Sequence, residues 1–579
     1  MSNKSFESYF QHELSKIREL SKEFSKEYPA VAPLLDAHNS DPDAERLIEG
    51  VAFLTGLLQQ KLDGEFPEVI HELTNILFPH YLRPIPALSV LEFTPKPSLR
   101  EAVKIPKGTQ VNSVAIEDIQ CTFTTTSTLN VYPMRLNKSI YTVIDNKSSS
   151  LQLDIELIDS SLGSLNLNEL NFYLGDSYNN SSDLFMLLSH FLKSIVIELD
   201  NSKTVNLPID SLECDGLNSN NSLFNYPSNA FSGYKILQEY FILPQKFFFF
   251  TLSNLHKLKH YANTSNFKVV FNFKNPPTTL NSFSNDSIKL FCTPISNIFE
   301  DTAEPITLKH NRELIRVRTP LKYSDKCQVY DVEKITSYIQ GEVENKKYFP
   351  FESFQHKTKN VNLYQVHRKK SIINSKEEIF LELHYDGEIE RKKEVLSMQI
   401  SCTNATHSER LKLGEISQGS DNSPELTTFK NIMPCTMQID SPLSENSLWQ
   451  FVSHLSINLL TLADIKTFKE MLKLYLFSNN RDKNKVSKNQ KRVDAIEEFS
   501  IETIDKVSRG YLLKGHKAYM HIRGDYFAST GDIYLFCTII LRFLSSYAGI
   551  NTFIELEVKE TITGESLSWD PILGNKKLI

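Results

Sequence analysis

The chain has little of what marks catalytic, secreted or membrane proteins. Its 579 residues include only 19 glycines, which leave few positions where the backbone could approach a cofactor closely. The longest apolar run, residues 533–544, is shorter than the roughly 18–20 residues that span a bilayer, and Arg542 interrupts it. We therefore expect a buried helix there. The opening residues, MSNKSFESYF, lack the apolar core of a secretory signal, so we expect no export by that route.

Cysteine pairs are missing as well. The seven cysteines are scattered, and no two lie closer than about thirty residues, which excludes any C-x-x-C motif. Scattered reduced thiols inside a core are the expected arrangement, and a reducing compartment follows. The formal net charge of -7 also argues against a whole-chain role on nucleic acid, because phosphate binding needs a concentrated basic surface.

The length predicts several domains, because single cores stop growing near about 250–300 residues. We predict an α+β multidomain chain. It has a helical domain at residues 1–86, a β-rich domain or domains with polar loops at 87–320, a second β-rich domain at 321–440, and a mixed C-terminal domain at 441–579.

Apolar residues recur every three or four positions in the N-terminal domain, which predicts about three helices. Ser40-Asp41-Pro42 is typical of a helix start. The stripe of the helix that follows is narrow and suits packing against other helices. Those helices belong either to this chain's C-terminal domain or to a bundle shared with other subunits. The two stripes are Phe6, Phe10, Leu14, Ile17, Leu20 and Phe24, and then Leu47, Val51, Leu54, Leu58 and Leu62.

Period-two patterns then predict short antiparallel strands, interrupted by one helix at residues 183–195. Residues 175–182 and 217–222 are polar and are predicted as mobile loops. The runs EIFLELHY and VLSMQISC alternate so regularly that each should bury one face in a sheet.

The C-terminal domain mixes helices and strands. One helix is predicted around Trp449 and Leu455, and a second around Phe468 and Leu472 after a capping box from Thr461 to Asp464. Residues 478–492 hold six Lys or Arg against one Asp and no aromatic residue, which predicts an exposed flexible loop. A strand is predicted at 552–560.

The sequence contains incomplete matches to one metal-binding and one phosphate-binding motif. His71-Glu72 begins a zincin motif, but Asn75 stands where the second His ligand must be. The segment from Gly510 to Lys517 has the glycine spacing of a phosphate loop without its lysine and hydroxyl. We therefore predict no catalytic, cofactor-binding or metal-binding residue. A cytosolic hydrolase with a dispersed carboxylate or His site stays open as an alternative.

The N-terminal helices carry more than periodicity. The chain contains D-P-D-x-E-R-L-x-E-G-x-x-F-L, then K-L-D-x-E-F-P, then P-H-Y, ending at Tyr81. Further matches follow at Ile105-Pro-Lys-Gly-Thr109, at 449–460, at Ile522-Arg523-Gly524 and at 541–553. In this order the segments resemble the TssF family, also called ImpG or VasA, a baseplate subunit of the bacterial type VI secretion system.

The resemblance implies a structural wedge subunit without enzymatic activity or cofactor. Its implied partners are TssG, a second copy of itself, TssK, TssE, the VgrG hub and the sheath. The implied place is the cytoplasm, at the inner face of the inner membrane. A wedge subunit of another phage-derived contractile particle is the alternative within assembly proteins. We expect the exposed interface candidates to be Arg18, Arg46, Glu49, His80, Tyr81 and Arg523.

Overall fold

A computed structural model describes residues 80–574 with gaps, together with 10–11, 14–15, 17–18 and 46–55. The gaps lie at 146, 200–202, 227–230, 262–263, 278–279, 281–282, 309–313, 321–325, 340–344, 352–361, 372–376, 385–393, 442–458, 460, 509–510 and 551. The chain divides into two compact units, Met1–Phe78 with Leu443–Leu455, and Pro79–Pro442 with Ser456–Ile579.

In the first unit, residues 10–11, 14–15, 17–18 and 46–55 are helical. The two predicted N-terminal helices are confirmed for these residues. Leu14 and Ala52 are buried. The predicted cap at Ser40-Asp41-Pro42, the near-zincin segment at His71 and the helix around Trp449 lie outside the described residues.

The second unit consists mainly of strands. In chain order the first fifteen are β1 (Leu88–Pro95), β2 (Val103–Ile105), β3 (Gln110–Ser113), β4 (Thr122–Thr125), β5 (Leu129–Val131), β6 (Met134–Asp145), β7 (Ser148–Leu157), β8 (Leu170–Leu174), β9 (Leu192–Leu199), β10 (Thr204–Leu207), β11 (Leu212–Cys214), β12 (Phe249–Leu252), β13 (Asn266–Lys274), β14 (Ile288–Leu290) and β15 (Cys292–Ser296). The others are β16 (Phe299–Thr302), β17 (Ile306–Thr307), β18 (Ile315–Arg316), β19 (Gln328–Ile339), β20 (Lys346–Pro350), β21 (Asn362–Lys370), β22 (Glu377–His384), β23 (Glu394–Thr403), β24 (Ile416–Gly419), β25 (Thr427–Asn431), β26 (Ile496–Ser508), β27 (Tyr511–Ile522), β28 (Phe553–Glu560), β29 (Ser566–Ser568) and β30 (Ile572–Leu573).

Five α-helices are described in this unit. They are α1 (Tyr178–His190), α2 (Ser232–Ile242), α3 (Ile465–Leu474), α4 (Lys483–Asp494) and α5 (Thr530–Ser545).

The described strands form six sheets, and most neighbours are antiparallel. The larger sheets have the orders β24-β3-β4-β15-β1-β25, β10-β9-β13-β7-β6, and β16-β23-β19-β20-β21-β22-β18 with β17 beside β23. The others are β11-β12-β8-β14, the pair β2-β5, and β26-β27-β28-β29 with β30 beside β28. Parallel neighbours β27 and β28 are joined through α5, because a parallel connection needs a crossover. The coarse α+β prediction is confirmed.

Alternating burial confirms the period-two interpretation. In β13 the buried residues are Phe267, Val269, Phe271 and Phe273. The runs predicted around 378–402 are β22 and β23, and Leu381, Met398 and Ile400 lie in the core of the largest sheet. The predicted strand at 552–560 is β28. The apolar run at 533–544 lies in α5, where all of its residues except Arg542 are buried.

Three local predictions need correction. The helix predicted at 183–195 begins earlier, at Tyr178, because Ser177 caps it, and it ends before β9. Residues 178–182 of the predicted loop are therefore helical. Asp464, rather than Thr461, caps α3 by accepting from the Thr467 backbone N–H. The predicted basic loop at 478–492 is largely α4, which Asp482 caps.

Candidate assembly surfaces

The helical segment 46–55 of the first unit carries an exposed apolar stripe. Leu47 is 69% exposed, Val51 45% and Leu54 61%, and they are spaced by four and three residues, so they share one helix face. Burying such side chains against a partner would stabilise a complex by about 1.5–3 kcal/mol each. We call Leu47, Val51 and Leu54 the apolar stripe.

The charged interface candidates are found in both units. Arg46 and Glu49 are exposed on the same helical segment, and Arg18 is exposed on the helical residues 17–18. Arg523 lies in the second unit, half-exposed, with Nη2 at 2.7 Å from Asp525 Oδ2 and its guanidinium 5.1 Å from the Tyr526 ring centre.

His80 and Tyr81 are buried, so the expectation that they are exposed is wrong. They are only 2% and 3% exposed. The Tyr81 hydroxyl donates to the Leu474 carbonyl at 3.2 Å, and its ring packs on Tyr475 and Phe477. The physical reason is that the chain enters the core of the second unit here, where Ile85 forms a bridge with Ile439.

The chemical environment of His80 agrees with that burial. Its ring contacts the Tyr226 ring edge-on, with centroids 5.8 Å apart. Burial, together with the positive charges of Lys235 and Arg83, lowers the pKa of His80 to about 3. His80 is therefore neutral at physiological pH and acts as a core side chain.

Arg83 fixes this segment by ionic contacts. Its guanidinium donates to the Asn225 carbonyl at 2.9 Å and lies 2.5 Å from Asp331 Oδ2. Asp331 Oδ1 also lies 3.5 Å from Nη2 of Arg368. This cluster links the start of the second unit to β19 and β21. No sequence pattern pointed to it, because its members are far apart along the chain.

Polar and charged side chains of the basic stretch 478–492 hold it against the rest of the second unit. Arg492 Nη2 lies 3.0 Å from both carboxylate oxygens of Asp532 on α5, and 3.1 Å from the Tyr178 hydroxyl. Asn489 donates to the Phe241 carbonyl at 3.0 Å, and Lys485 donates to the Ile242 carbonyl. Burial lowers the pKa of Lys485 to about 8. The prediction of a solvated loop is wrong because inward polar residues, rather than an apolar stripe, hold this helix.

A close crossing of α1 and α5 completes this network. Gly531 lies so near α1 that a Cβ would stand 2.3 Å from the Ser182 backbone. The Gly531 N–H donates to Asp183 Oδ1 at 3.0 Å, and burial raises the pKa of Asp183. Asp532 in turn accepts from the Tyr178 hydroxyl at 2.7 Å. Glycine is required here by contact with backbone.

The near match to a phosphate loop lies on a strand. Gly515 is in the middle of β27, where a Cβ would meet the Phe553 ring at 2.5 Å. A phosphate loop instead needs free backbone N–H groups before a helix. No group of three or more His, Cys, Asp or Glu in metal-binding arrangement occurs among the residues that the structure describes. No described helix is long and apolar enough to cross a membrane.

The known proteins that this chain resembles are type VI secretion system components. The family model "Type VI secretion system, TssF" matches residues 2–576. The type VI secretion system component TssF1 of Pseudomonas aeruginosa is 25% identical over 98% of each chain. A solved chain in the type VI secretion system TssK-TssF-TssG baseplate subcomplex is 26% identical with a TM-score of 0.78, covering 92% of this chain and 99% of that one. A chain in the baseplate complex from the type VI secretion system has the same fold, at 24% identity and a TM-score of 0.61, covering 99% and 100%. Because the family model spans nearly the whole sequence, the chain belongs to the TssF family of the type VI secretion system.

Proposed function

We propose that this protein is a structural, non-enzymatic subunit of the baseplate wedge and assembles with TssG and TssK. The similarity to a chain of the TssK-TssF-TssG baseplate subcomplex carries this proposal, because it covers nearly all of both chains. The family-wide resemblance extends the proposal to a second copy of this chain, TssE, the VgrG hub and the sheath. The same resemblance supports a cytoplasmic position at the inner face of the inner membrane.

The apolar stripe on residues 46–55 is the proposed contact with TssG. Three neighbouring apolar side chains that remain exposed in the folded chain are the kind of surface that a partner covers. Arg46 and Glu49, which lie on the same helical segment as the stripe, would form its polar rim. Arg18 is proposed as a further contact of the first unit. Arg523 is proposed as a separate contact on the second unit. His80 and Tyr81 instead support the fold.

The test is co-purification of TssG with a variant in which Leu47, Val51 and Leu54 are all replaced by serine. We expect the variant chain to fold and TssG to be lost, because about 1.5–3 kcal/mol of burial disappears at each position. Leu413→Ser with Ile562→Ser is the matched control, since both side chains are about as exposed, at 60% and 62%.

Retention of TssG at the parent level by the triple variant would show that the contact lies elsewhere. Loss of TssG by the control pair as well would show a general effect of removing exposed apolar groups. Point changes are preferable to a truncation at Ala87, because removing His80 to Ile85 would also remove core contacts of the second unit.

A further inference from the structure

The helical segment 46–55 carries a glycine on its exposed side. Gly50 lies in the middle of this segment and is exposed. Glycine is a poor helix former, because it loses more backbone freedom on folding than any other residue. A glycine at this position therefore weakens the helix, and its presence calls for a physical reason.

The described part of the chain does not supply that reason. Gly50 does not have a positive φ that would favour glycine, and no heavy atom of the described residues lies within 4 Å of a Cβ built on it. Gly531 is the opposite case, since the Ser182 backbone leaves no room for a Cβ there. Alanine would therefore fit at Gly50 in the chain alone and would favour the helix.

The neighbours of Gly50 on the helix surface are the three residues of the apolar stripe. Leu47, Gly50, Val51 and Leu54 stand at positions i, i+3, i+4 and i+7, so they form the four corners of one lozenge. In packed helices, four residues of one helix surround the hole that receives a side chain of the facing helix. We call Leu47, Gly50, Val51 and Leu54 the Gly50 hole.

Glycine makes this hole larger than any other residue would. Three corners carry exposed apolar side chains that can contact an inserted group, and the fourth corner has no side-chain atoms. None of the four corners is polar or charged, so the hole suits an apolar side chain, whose burial needs no hydrogen-bond partner. Leucine, methionine and phenylalanine have that chemistry and a size that uses the extra space.

We propose that the Gly50 hole receives one large apolar side chain from a helix of TssG, and that Gly50 limits how large that side chain can be. This inference rests on the proposed contact between the apolar stripe and TssG. The occupant is a helix because the stripe is spaced by four and three residues, which is the spacing of a helix-on-helix seam. A residue that weakens the free helix then strengthens the complex.

The experiment compares Gly50→Ala and Gly50→Leu in the full chain. Urea unfolding followed by circular dichroism at 222 nm measures the stability of the chain alone, and titration with purified TssG measures the affinity. Both changes should leave the urea midpoint unchanged or raise it, because alanine and leucine are better helix formers than glycine. The affinity for TssG should fall about tenfold with alanine and about a hundredfold with leucine, because the added side chain overfills the hole.

Asn484→Leu is the matched control. Asn484 is exposed on α4 in the second unit, so the change adds the same apolar side chain to an exposed helix position of the other unit. It should leave the affinity for TssG at the parent value. The size series is a second control: a glycine needed only for helix flexibility predicts equal losses with alanine and leucine, whereas a filled hole predicts the larger loss with leucine.

The proposal is overturned if Gly50→Leu binds TssG with the parent affinity, if alanine and leucine weaken binding equally, or if Asn484→Leu weakens it as much. A lowered urea midpoint for Gly50→Ala would also overturn it, because the space at Gly50 would then be used within the chain. Loss of a second copy of this chain from the complex, with TssG retained, would assign the hole to that copy instead.

This inference and the proposed function fail in different ways. Failure of the parent chain to bind TssG would count against the proposed function. Loss of TssG by the triple serine variant of the apolar stripe, together with parent affinity for Gly50→Leu, would keep the proposed contact and remove only the Gly50 hole.

Discussion

Replacing Arg492 by methionine should destabilise the second unit strongly. Asp532 is 1% exposed, and two of its hydrogen bonds come from Arg492 Nη2 at 3.0 Å. The Tyr178 hydroxyl at 2.7 Å and the Ala528 N–H at 3.2 Å would remain. The variant therefore leaves a buried carboxylate without its cation.

The expected loss in the free energy of unfolding is about 3–5 kcal/mol, the usual effect of removing one partner of a buried ion pair. Lys491→Met, one residue away on the exposed face of α4, is the control and should change stability by less than about 0.5 kcal/mol. Adding Asp532→Asn to Arg492→Met should lose less than the two single changes together, because the stranded charge is gone.

Trp569 provides a local assay. Its ring stacks on Tyr534 of α5 with centroids 5.0 Å apart, and its indole N–H donates to the Thr538 hydroxyl at 2.9 Å. The chain has two tryptophans, so Trp449→Phe leaves Trp569 as the single reporter. Urea unfolding is then followed by its fluorescence. A midpoint for Arg492→Met equal to that of Lys491→Met would refute the reasoning.

Two other predictions concern buried positions of the second unit. Gly531→Ala should destabilise it by about 1–3 kcal/mol, because the added Cβ would stand 2.3 Å from the Ser182 backbone; an unchanged urea midpoint would contradict the close crossing. In the folded chain, burial lowers the pKa of His80 to about 3, so the ring stays neutral. In the unfolded chain the same ring gains a proton below about pH 6.5. His80 therefore lowers the free energy of unfolding as the pH falls from 6.5 towards 3. His80→Gln should therefore lose stability less steeply over that range, by up to about 1.36 kcal/mol per pH unit, and parallel pH profiles would contradict the buried neutral ring.

Local patterns predicted local elements well. Strict alternation identified β22, β23 and β28, and the apolar run identified α5, because burial of one face or of a whole element leaves a direct periodic signal. Sequence could not show that β24 and β25 join β1 and β3 in one sheet, because pairing between distant segments leaves no local pattern. The four predicted domains stay a prediction.

The errors at α4 and His80 share a cause. Interpretation of a sequence pattern assigns Lys, Arg and His to the surface, and this assignment is wrong where the fold supplies a buried partner for the side chain. Arg492 has Asp532, which lies 40 positions further along the chain. His80 packs edge-on against Tyr226, which lies 146 positions further along the chain.

The most direct test of the structural role is an in-frame deletion of this gene, with a fluorescent sheath subunit imaged in living cells. The proposed structural role predicts that sheath assembly and contraction-dependent killing stop while the growth rate stays unchanged, and that expression of the full chain restores assembly and killing. Sheaths that still assemble and contract in the deletion strain would contradict the account.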